Sequence, residues 1–215
     1  VGSIGDMSCF SFYFGHHMTT IEGGMICTND YEIYQLARMF RSHGMTREAD
    51  KETHEKYAKP DVNPLFTFAV PGYNMRSTEI NAVLGLEQIK RLDYNIQKRQ
   101  ENLNIWLDNL DDNLFYKGYK VEGSSNYALP LILKEDNNKM KEVCKILEEE
   151  LVEYRIGTAG GGNQARQPYL ERYGFKTVGD LNTSDYIHDF GLYIGNHPEL
   201  KKEQIIKLCE RLNNV

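Results

Sequence analysis

The sequence has few of the residues that mark a disulfide scaffold or a metal site. Its four cysteines (Cys9, Cys27, Cys144 and Cys209) lie far apart, with no C-x-x-C pair and no Cys/His cluster at zinc-finger spacing. We therefore expect no metal site. Each cysteine has an apolar neighbour, and free cysteine is among the most often buried residue types. We expect all four thiols to be buried.

Long hydrophobic runs and strong charge of either sign are also absent. No apolar stretch approaches the roughly 20 residues of a transmembrane helix, and residues 1–20 lack the charged start and apolar core of a signal peptide. The formal net charge is −6, with lysine and arginine scattered along the chain. That distribution gives no broad surface for nucleic acid or an anionic membrane. We expect a cytoplasmic protein that binds any anion in a local pocket.

The sequence does contain enough apolar and aromatic residues for a folded core. Hydrophobic residues make up 40% of the 215 residues, and the aromatic residues are 14 Tyr, 9 Phe and one Trp. These proportions are typical of globular proteins and argue against a disordered chain.

The hydrophobic pattern of the first part predicts two strands, a helix and a long loop. Apolar residues interleave with serine from Met7 to Phe14, and a second short strand spans Gly24 to Thr28. Asn29, with Glu32 three residues later, forms a capping-box pattern that predicts a helix through about Phe40. Residues 44–72 are charged and lack a clean period, so we expect a loop kept for function or mobility.

From Ser77 the apolar residues recur mostly at three and four positions, which predicts one long helix over 77–110 that can bridge two domains. The pattern after it indicates a compact α+β unit. Its predicted elements are strands at 127–133, 154–156 and 192–194 and helices at 138–151, 184–190 and from about 199.

Two adjacent histidines, His16 and His17, follow the first strand within SFYFGHHMTTIEGG at 11–24. Neighbouring side chains on an extended chain point opposite ways, so at most one of them faces a given pocket. Three further motifs follow in order: RSHGMTR at 41–47, GYNMRSTEI at 72–80, and Gly-Asn with Arg-Gln-Pro at 162–168. Together the four resemble the DegT/DnrJ/EryC1/StrS family of pyridoxal-phosphate sugar aminotransferases, over nearly the whole chain.

The resemblance implies an α/β fold of the fold-type I aminotransferase kind. It implies that residues 1–76 are the end of a large cofactor-binding domain, 77–110 a connecting helix and 111–215 a small C-terminal domain. A break in the helix at 77–110 would count strongly against the resemblance. In the family, the strands that seat the cofactor ring lie upstream of the coenzyme lysine. We therefore expect this chain to be the second part of a longer protein, and whether it binds the cofactor alone stays open.

His16 stands where the family has its coenzyme lysine. A lysine amine condenses with the cofactor aldehyde, whereas imidazole cannot. The resemblance implies that pyridoxal 5'-phosphate or pyridoxamine 5'-phosphate is held non-covalently and that His16 acts as the catalytic base. It further implies 3-dehydration of a GDP-4-keto-6-deoxymannose-like sugar, with glutamate as amino donor, on the way to colitose for lipopolysaccharide.

The resemblance also assigns cofactor contacts. Ser11 would bind the cofactor phosphate, and Asn74 would reach the phosphate of the neighbouring subunit, which implies a homodimer with shared sites. The alternatives are an ordinary strand serine at position 11 and a turn residue at position 74.

Four further residues are candidates for substrate binding. Arginine pairs in bidentate fashion with a carboxylate or a diphosphate, which suits glutamate and a nucleotide-sugar. The candidates are His43, Arg47, Arg76 and Arg166. The alternatives are a helix cap for His43 and solvated surface positions for the arginines. Gly157–Asn163 allows close backbone approach to a ligand or forms a flexible turn.

Other functions remain open at this point, among them that of a pyridoxal-phosphate-dependent nucleotide-sugar aminotransferase. Some members with the same histidine act on a CDP-linked sugar but need an iron–sulfur cluster, and the unclustered cysteines argue against that function. A non-catalytic fragment that dimerises or binds a nucleotide-sugar belongs to another class altogether.

Overall fold

The computed structural model describes residues 2–134, 137–157 and 161–215. The chain divides into two compact units, and the boundary falls between Leu92 and Asp93. Within the described ranges, no helix is long and apolar enough to cross a membrane. The domain limits expected at 76/77 and 110/111 stay predictions.

The first unit contains a two-stranded antiparallel sheet and short helices. Strand β1 (Met7–Ser11) pairs with β2 (Gly24–Thr28), in a register that places Ser11 opposite Gly24. The helices of this unit are α1 (Tyr31–Phe40), α2 (Lys51–Lys56) and α3 (Glu79–Ile89), with 3₁₀ turns at Thr46–Glu48 and Pro64–Phe66. The predicted strand at 24–28 and the end of α1 at Phe40 are confirmed, whereas β1 ends at Ser11 instead of Phe14.

Helix α1 begins at a different cap from the predicted one. Asp30, and not Asn29, is the N-cap residue, and its Oδ1 accepts the backbone N–H of Ile33 at 2.9 Å. Asp30 has the extended backbone that an N-cap requires, and its negative charge suits the positive end of the helix. The capping box of Asn29 and Glu32 was the wrong prediction.

The segment 44–72 contains local structure that the hydrophobic pattern did not reveal. Asp50 caps α2 by accepting the N–H of Thr53 at 2.8 Å, and Asn63 accepts the N–H of Leu65 at 3.0 Å. No residue of α2 is buried. Because side-chain caps and not an apolar face define these turns, the segment has no helical hydrophobic period.

The helix predicted over 77–110 is two helices. Helix α3 ends at Ile89, and α4 (Leu92–Asn109) begins after Lys90 and Arg91. The N–H of Arg91 donates to the carbonyl of Gln88, three residues back, at 3.2 Å. This tighter bond replaces the α-helical one for a turn. The prediction of one continuous helix is wrong, and the boundary between the two units falls at the interruption.

The second unit is an antiparallel sheet packed with helices. Strand β5 (Gly191–Gly195) lies between β3 (Ala128–Ile132) and β4 (Tyr154–Ile156) and pairs with both. The strands and helices after α4 are β3 (Ala128–Ile132), α5 (Asn137–Glu149), β4 (Tyr154–Ile156), α6 (Pro168–Tyr173), α7 (Asn182–Phe190), β5 (Gly191–Gly195) and α8 (Lys202–Leu212). The predicted strands and helices are confirmed to within a few residues, and α6 is an addition that the sequence pattern did not predict.

The main core lies in the second unit. Trp106 of α4 is fully buried, and its Nε1–H donates to the carbonyl of Pro130 at 2.8 Å, so the ring packs without an unpaired polar atom. Other buried residues of this core are Leu103, Leu107, Leu110, Phe115, Leu129, Leu131, Val143, Leu147, Leu192, Leu208 and Leu212. The α4 half of the predicted apolar pattern therefore forms core, whereas Ile80, Val83 and Ile89 of α3 are exposed.

The cysteines are less buried than predicted. Cys209 is buried, Cys27 and Cys144 are half-buried, and Cys9 is exposed. Cys9 lies on β1, where four of the five residues are exposed because the two-stranded sheet is open. The prediction of a buried thiol is confirmed for Cys209 and wrong for Cys9. Burial raises the pKa of the Cys209 thiol to about 12.

Candidate functional site

The loop that carries His16 is closed at its base by hydrogen bonds. The N–H of Phe12 donates to the carbonyl of Gly23 at 2.8 Å, and the N–H of Thr20 donates to the carbonyl of Phe12 at 2.9 Å. Thr19 adds a side-chain bond, because its Oγ1 donates to the carbonyl of Phe12 at 3.2 Å. The loop between β1 and β2 is therefore fixed at both ends by hydrogen bonds, and His16 lies in the part of the loop between these ends.

Asn81 of α3 fastens the same loop from the side. Its Nδ2 donates to the carbonyls of Thr20 at 2.9 Å and Glu22 at 3.0 Å, while its Oδ1 accepts the N–H of Thr78 at 3.2 Å. Thr78 is the N-cap of α3, so one amide both completes the cap and holds the loop. The Thr78-x-x-Asn81 spacing is a capping signal in the sequence, but no motif indicates that Asn81 also holds the His16 loop.

His16 and His17 lie in a turn, not on a strand. Both are half-buried, and the ring of His16 lies 6.5 Å from that of Tyr13 at an angle of 71°. The N–H of His16 donates to the carbonyl of Tyr13 at 3.1 Å. Because β1 ends at Ser11, the alternation of side chains on an extended strand does not apply to these histidines.

Ser11 is the last residue of β1 and is exposed. Its Oγ accepts the N–H of Tyr13 at 3.3 Å. Within the part of the chain that the structure describes, the hydroxyl proton has no acceptor. A neutral donor at this place suits a phosphate oxygen.

A second set of candidates lies where residues 41–46 run beside residues 67–75. Backbone bonds join Met75 to Arg41 at 2.9 Å, Ala69 to Gly44 at 2.9 Å and Thr46 to Thr67 at 2.9 Å. Gly44 has a φ of 82°, and a Cβ there would overlap the carbonyl of Val70. The close approach therefore requires glycine.

These paired segments bring His43 and Asn74 together, and Arg76 lies just beyond them. Ser42 and Asn74 form an antiparallel bridge, and the N–H of His43 donates to the carbonyl of Tyr73 at 2.6 Å. The Nη2 of Arg76 reaches the Oδ1 of Asn74 at 3.5 Å. The side chains of all three residues are exposed.

The alternative reading of His43 as a helix cap is wrong. The C-cap of α1 is Arg41. The N–H of Gly44 donates to the carbonyl of Met39 at 2.8 Å, so Gly44 closes the turn after the helix. His43 lies between Arg41 and Gly44 and has a left-handed φ of 63°. Only a few per cent of non-glycine residues adopt a positive φ.

Arg47 is a partly paired arginine. Its Nε lies 3.8 Å from the Oε1 of Glu48, and its guanidinium lies 5.3 Å from the centre of the Phe66 ring. The side chain keeps 37% of its surface exposed. It is therefore held from two sides and is still accessible to an anion.

Arg166, in the second unit, is paired with two carboxylates. Its Nε donates to the Oδ1 of Asp185 at 2.8 Å, and its Nη1 donates to the Oδ1 of Asp189 at 2.8 Å. The pKa of Arg166 is raised, most strongly by the hydrogen bond to Asp189. The side chain is 41% exposed, so Arg166 is a surface arginine with two ion-pair partners. Residues 158–160 of the glycine-rich stretch lie outside the described residues.

The seven candidates fall in both units. The hairpin of β1 and β2 carries Ser11 and His16. The paired segments carry His43 and Asn74, with Arg76 just beyond them and Arg47 on the adjoining 3₁₀ turn. Arg166 belongs to the second unit. Among the described residues, no group of three His, Cys, Asp or Glu side chains is placed to hold a metal ion.

Comparison with known proteins identifies relatives over nearly the whole chain. The model of the DegT/DnrJ/EryC1/StrS aminotransferase family matches residues 1–213. The GDP-4-keto-6-deoxy-D-mannose 3-dehydratase of Yersinia pseudotuberculosis is 32% identical over 212 residues, which are 96% of this chain and 53% of that protein. The enzyme of the same name from Escherichia coli O55:H7 is 31% identical over 207 residues, 91% of this chain and 51% of that protein.

A solved structure supports the same relationship. The crystal structure of GDP-4-keto-6-deoxymannose-3-dehydratase with a trapped PLP-glutamate geminal diamine superposes with a TM-score of 0.84 at 29% identity. The superposition covers 99% of this chain and 56% of that one. The chain thus spans about half the length of the curated relatives it matches.

Proposed function

The chain belongs to the DegT/DnrJ/EryC1/StrS aminotransferase family, with the mixed α/β fold of pyridoxal-phosphate-dependent aminotransferases, and from this premise we propose that the full-length protein is a sugar 3-dehydratase. The proposed substrate is a GDP-linked 4-keto-6-deoxy sugar like 4-keto-6-deoxymannose. The observation that carries the proposal is a histidine, His16, in the loop where the family motif has lysine. Relatives named for this activity match most of the chain.

The proposed cofactor is pyridoxal 5'-phosphate and its pyridoxamine form. When bound, it supplies an electron-poor ring system that accepts negative charge from an adjacent carbon and carries an amino group. The exposed hydroxyl of Ser11 and the side-chain amide of Asn74 are neutral donors that fit phosphate oxygens. We assign Ser11 to the cofactor of its own subunit and Asn74 to that of a partner subunit, which makes the protein a homodimer.

His16 supplies a base that is not covalently attached to the cofactor. Imidazole gains and loses a proton near neutral pH, and it cannot form the bond that a lysine amine forms with an aldehyde. With the cofactor bound, His16 would hold and move the proton at the cofactor carbon that bears the amino group. The hydrogen bonds at the base of the loop and from Asn81 hold the imidazole in place for this proton transfer.

The overall reaction balances with glutamate as the amino donor. Glutamate becomes 2-oxoglutarate, the nitrogen leaves as ammonia, and the oxygen lost from the sugar's C3 is matched by the oxygen gained in 2-oxoglutarate. The product is a 4-keto-3,6-dideoxy sugar, which suits the supply of colitose for lipopolysaccharide.

We assign His43, Arg47 and Arg76 to the nucleotide-sugar. Arg47 and Arg76 have accessible guanidinium groups that pair readily with a diphosphate. His43 is also exposed, and it follows Ser42, which is bridged to Asn74. Arg166, with its two carboxylates, has a different environment from these arginines.

Product analysis of the full-length protein tests this function. With pyridoxal phosphate, glutamate and GDP-4-keto-6-deoxymannose, we expect a sugar one oxygen atom lighter, with ammonia and 2-oxoglutarate in equal amounts. A 4-amino sugar without ammonia would identify a transaminase. Faster turnover of the CDP-linked 4-keto-6-deoxyglucose would contradict the choice of nucleotide. No turnover of either sugar by cofactor-loaded protein would favour a non-catalytic dimerisation or binding role.

A further inference from the structure

One face of α7 holds the segment that contains Arg166. Asp185, His188 and Asp189 are three and four positions apart, so they share a face of the helix. Asp185 accepts both the Nδ2–H of Asn163, at 2.8 Å, and the Nε–H of Arg166. The Nδ1 of His188 accepts the backbone N–H of Asn163 at 3.1 Å.

The contact between α7 and this segment is close. Gly162 has a φ of 79°, and a Cβ there would overlap the imidazole of His188. Asn163 is 7% exposed, and its Oδ1 accepts the N–H of Ala165 at 2.9 Å. Both the Nδ2 and the Oδ1 of the buried Asn163 amide therefore have hydrogen-bond partners. These bonds hold the 3₁₀ turn that carries Arg166 against α7.

Most of the donors of Arg166 are used within this cluster. Arginine has five N–H groups. The Nε–H bonds Asp185, and one N–H on each of Nη1 and Nη2 bonds Asp189. The Nη2 nitrogen also lies 2.7 Å from the Asp185 Oδ1, so its second N–H is on the side of that carboxylate. One N–H of Nη1 remains for a ligand. The Arg166 side chain is 41% exposed, so this group is accessible.

The charges of the cluster favour a neutral ligand atom over a phosphate. The hydrogen bond from Arg166 lowers the pKa of Asp189, and the bond from Asn163 is the largest of the contributions that lower the pKa of Asp185. Two carboxylates thus face one guanidinium at neutral pH. With this excess of negative charge, an approaching dianion is repelled, whereas a hydroxyl or carbonyl oxygen still accepts the remaining N–H.

We propose that Asp185 and Asp189 are positioning residues that make Arg166 a directional donor to a neutral oxygen of the sugar, and not a clamp for the diphosphate. This inference rests on the proposed function, since it takes the ligand to be a nucleotide-sugar. It changes the chemistry expected of Arg166 from anion binding to recognition of a sugar hydroxyl or carbonyl.

Binding of two stable probes to the full-length protein tests the inference. GDP carries the diphosphate without a sugar, and GDP-mannose carries both, so titration calorimetry with each separates the two contacts. Arg166→Gln should weaken GDP-mannose binding by about tenfold, as expected for a lost hydrogen bond from a charged donor, and change GDP binding less than about twofold. Asp189→Asn should weaken GDP-mannose binding in the same direction, while GDP binding stays equal or becomes tighter because a negative charge is removed.

Arg211→Gln is the matched control. Arg211 also pairs with two carboxylates of the second unit, Glu149 and Glu150, and its loss should change neither affinity. Equal weakening of GDP and GDP-mannose by Arg166→Gln would overturn the inference in favour of a diphosphate clamp. Unchanged GDP-mannose binding in both Arg166→Gln and Asp189→Asn would also overturn it. Failure of the wild type to dehydrate the 4-keto sugar, with the predicted affinities intact, would contradict only the proposed function.

Discussion

The carboxylates beside Arg166 make the stability of the second unit depend on pH. The pKa of Asp189 is lowered in the folded chain, mainly by the bond from Arg166. Its contribution to stability is therefore complete above the pKa of an unfolded aspartate, about 3.9, and is lost as the pH falls through the lower folded value. The wild type should consequently lose its advantage over Asp189→Asn in acid.

Urea unfolding of the wild type and Asp189→Asn from pH 7 down to pH 2 measures this effect. We expect the difference in unfolding free energy to shrink below about pH 4. In an Arg166→Gln background, the same Asp189→Asn substitution should show a smaller dependence on pH. A difference that stays constant from neutral to acid pH would contradict the pairing.

At the residue scale, sequence motifs identify the candidates but not their partners. His16 and Arg166 stand in motifs that resemble a family, so the sequence alone suggests both. Asp185 and Asp189 reach Arg166 from 19 and 23 positions away along the chain, and no local spacing indicates that contact. Side-chain pairs of this kind depend on how α7 packs, which a hydrophobic period does not specify.

At the scale of the elements, the first turn of α3 should govern the order of the His16 loop. Asn81→Ala removes the two bonds to Thr20 and Glu22 together with part of the helix cap. Thr78→Ala removes the cap hydroxyl and leaves the bonds from Asn81 to the loop. Both variants should lose about 1 kcal/mol of stability, but only Asn81→Ala should lower turnover by about tenfold or more, because misplaced catalytic groups are costly.

Turnover and thermal unfolding of both full-length variants test this separation. If Thr78→Ala lowered turnover as much as Asn81→Ala, the effect would come from the helix cap, and the role given to the loop bonds would be wrong.

Hydrophobic period predicts helices better than it predicts their ends. The apolar positions of α4 do form core. The helix is nevertheless interrupted between Ile89 and Leu92, where the sequence has neither proline nor glycine to indicate an end. We expected a break to count strongly against the family resemblance. The family match extends from residue 1 to 213 and so includes the interruption. Continuity of this helix is therefore too strict a test of membership in the family. The short helix α2 was missed for the opposite reason, since polar caps define it.

At the scale of the whole molecule, the buried core of the second unit should dominate its stability. Phe115 is 0% exposed, and Phe115→Ala should cost about 3–5 kcal/mol of unfolding free energy through lost burial and a cavity. Phe175 of the same unit is 47% exposed, and its replacement by alanine should cost less than about 1 kcal/mol. Equal losses in chemical denaturation would contradict the assignment of the core.

The proposed homodimer makes a prediction about shared sites. If Asn74 acts on the partner's cofactor, a mixed dimer of Asn74→Ala and His16→Asn subunits contains one site with both changes and one with neither. Mixing the two inactive full-length variants, with subunit exchange, should therefore restore activity, and sedimentation should show a dimer. A monomer with full activity, or no recovery in proven mixed dimers, would remove Asn74 from the site.

Replacement of His16 in the full-length protein tests the central claim most directly. His16→Asn should leave cofactor affinity nearly unchanged and lower the dehydration rate by about 10²–10⁴-fold, the usual contribution of a general base. His16→Lys should bind the cofactor covalently and suppress dehydration, and His17→Asn, the matched control, should stay near the wild-type rate. Wild-type dehydration by His16→Asn would contradict the account, because the base would then be another residue, with His17 and His43 as the nearest candidates.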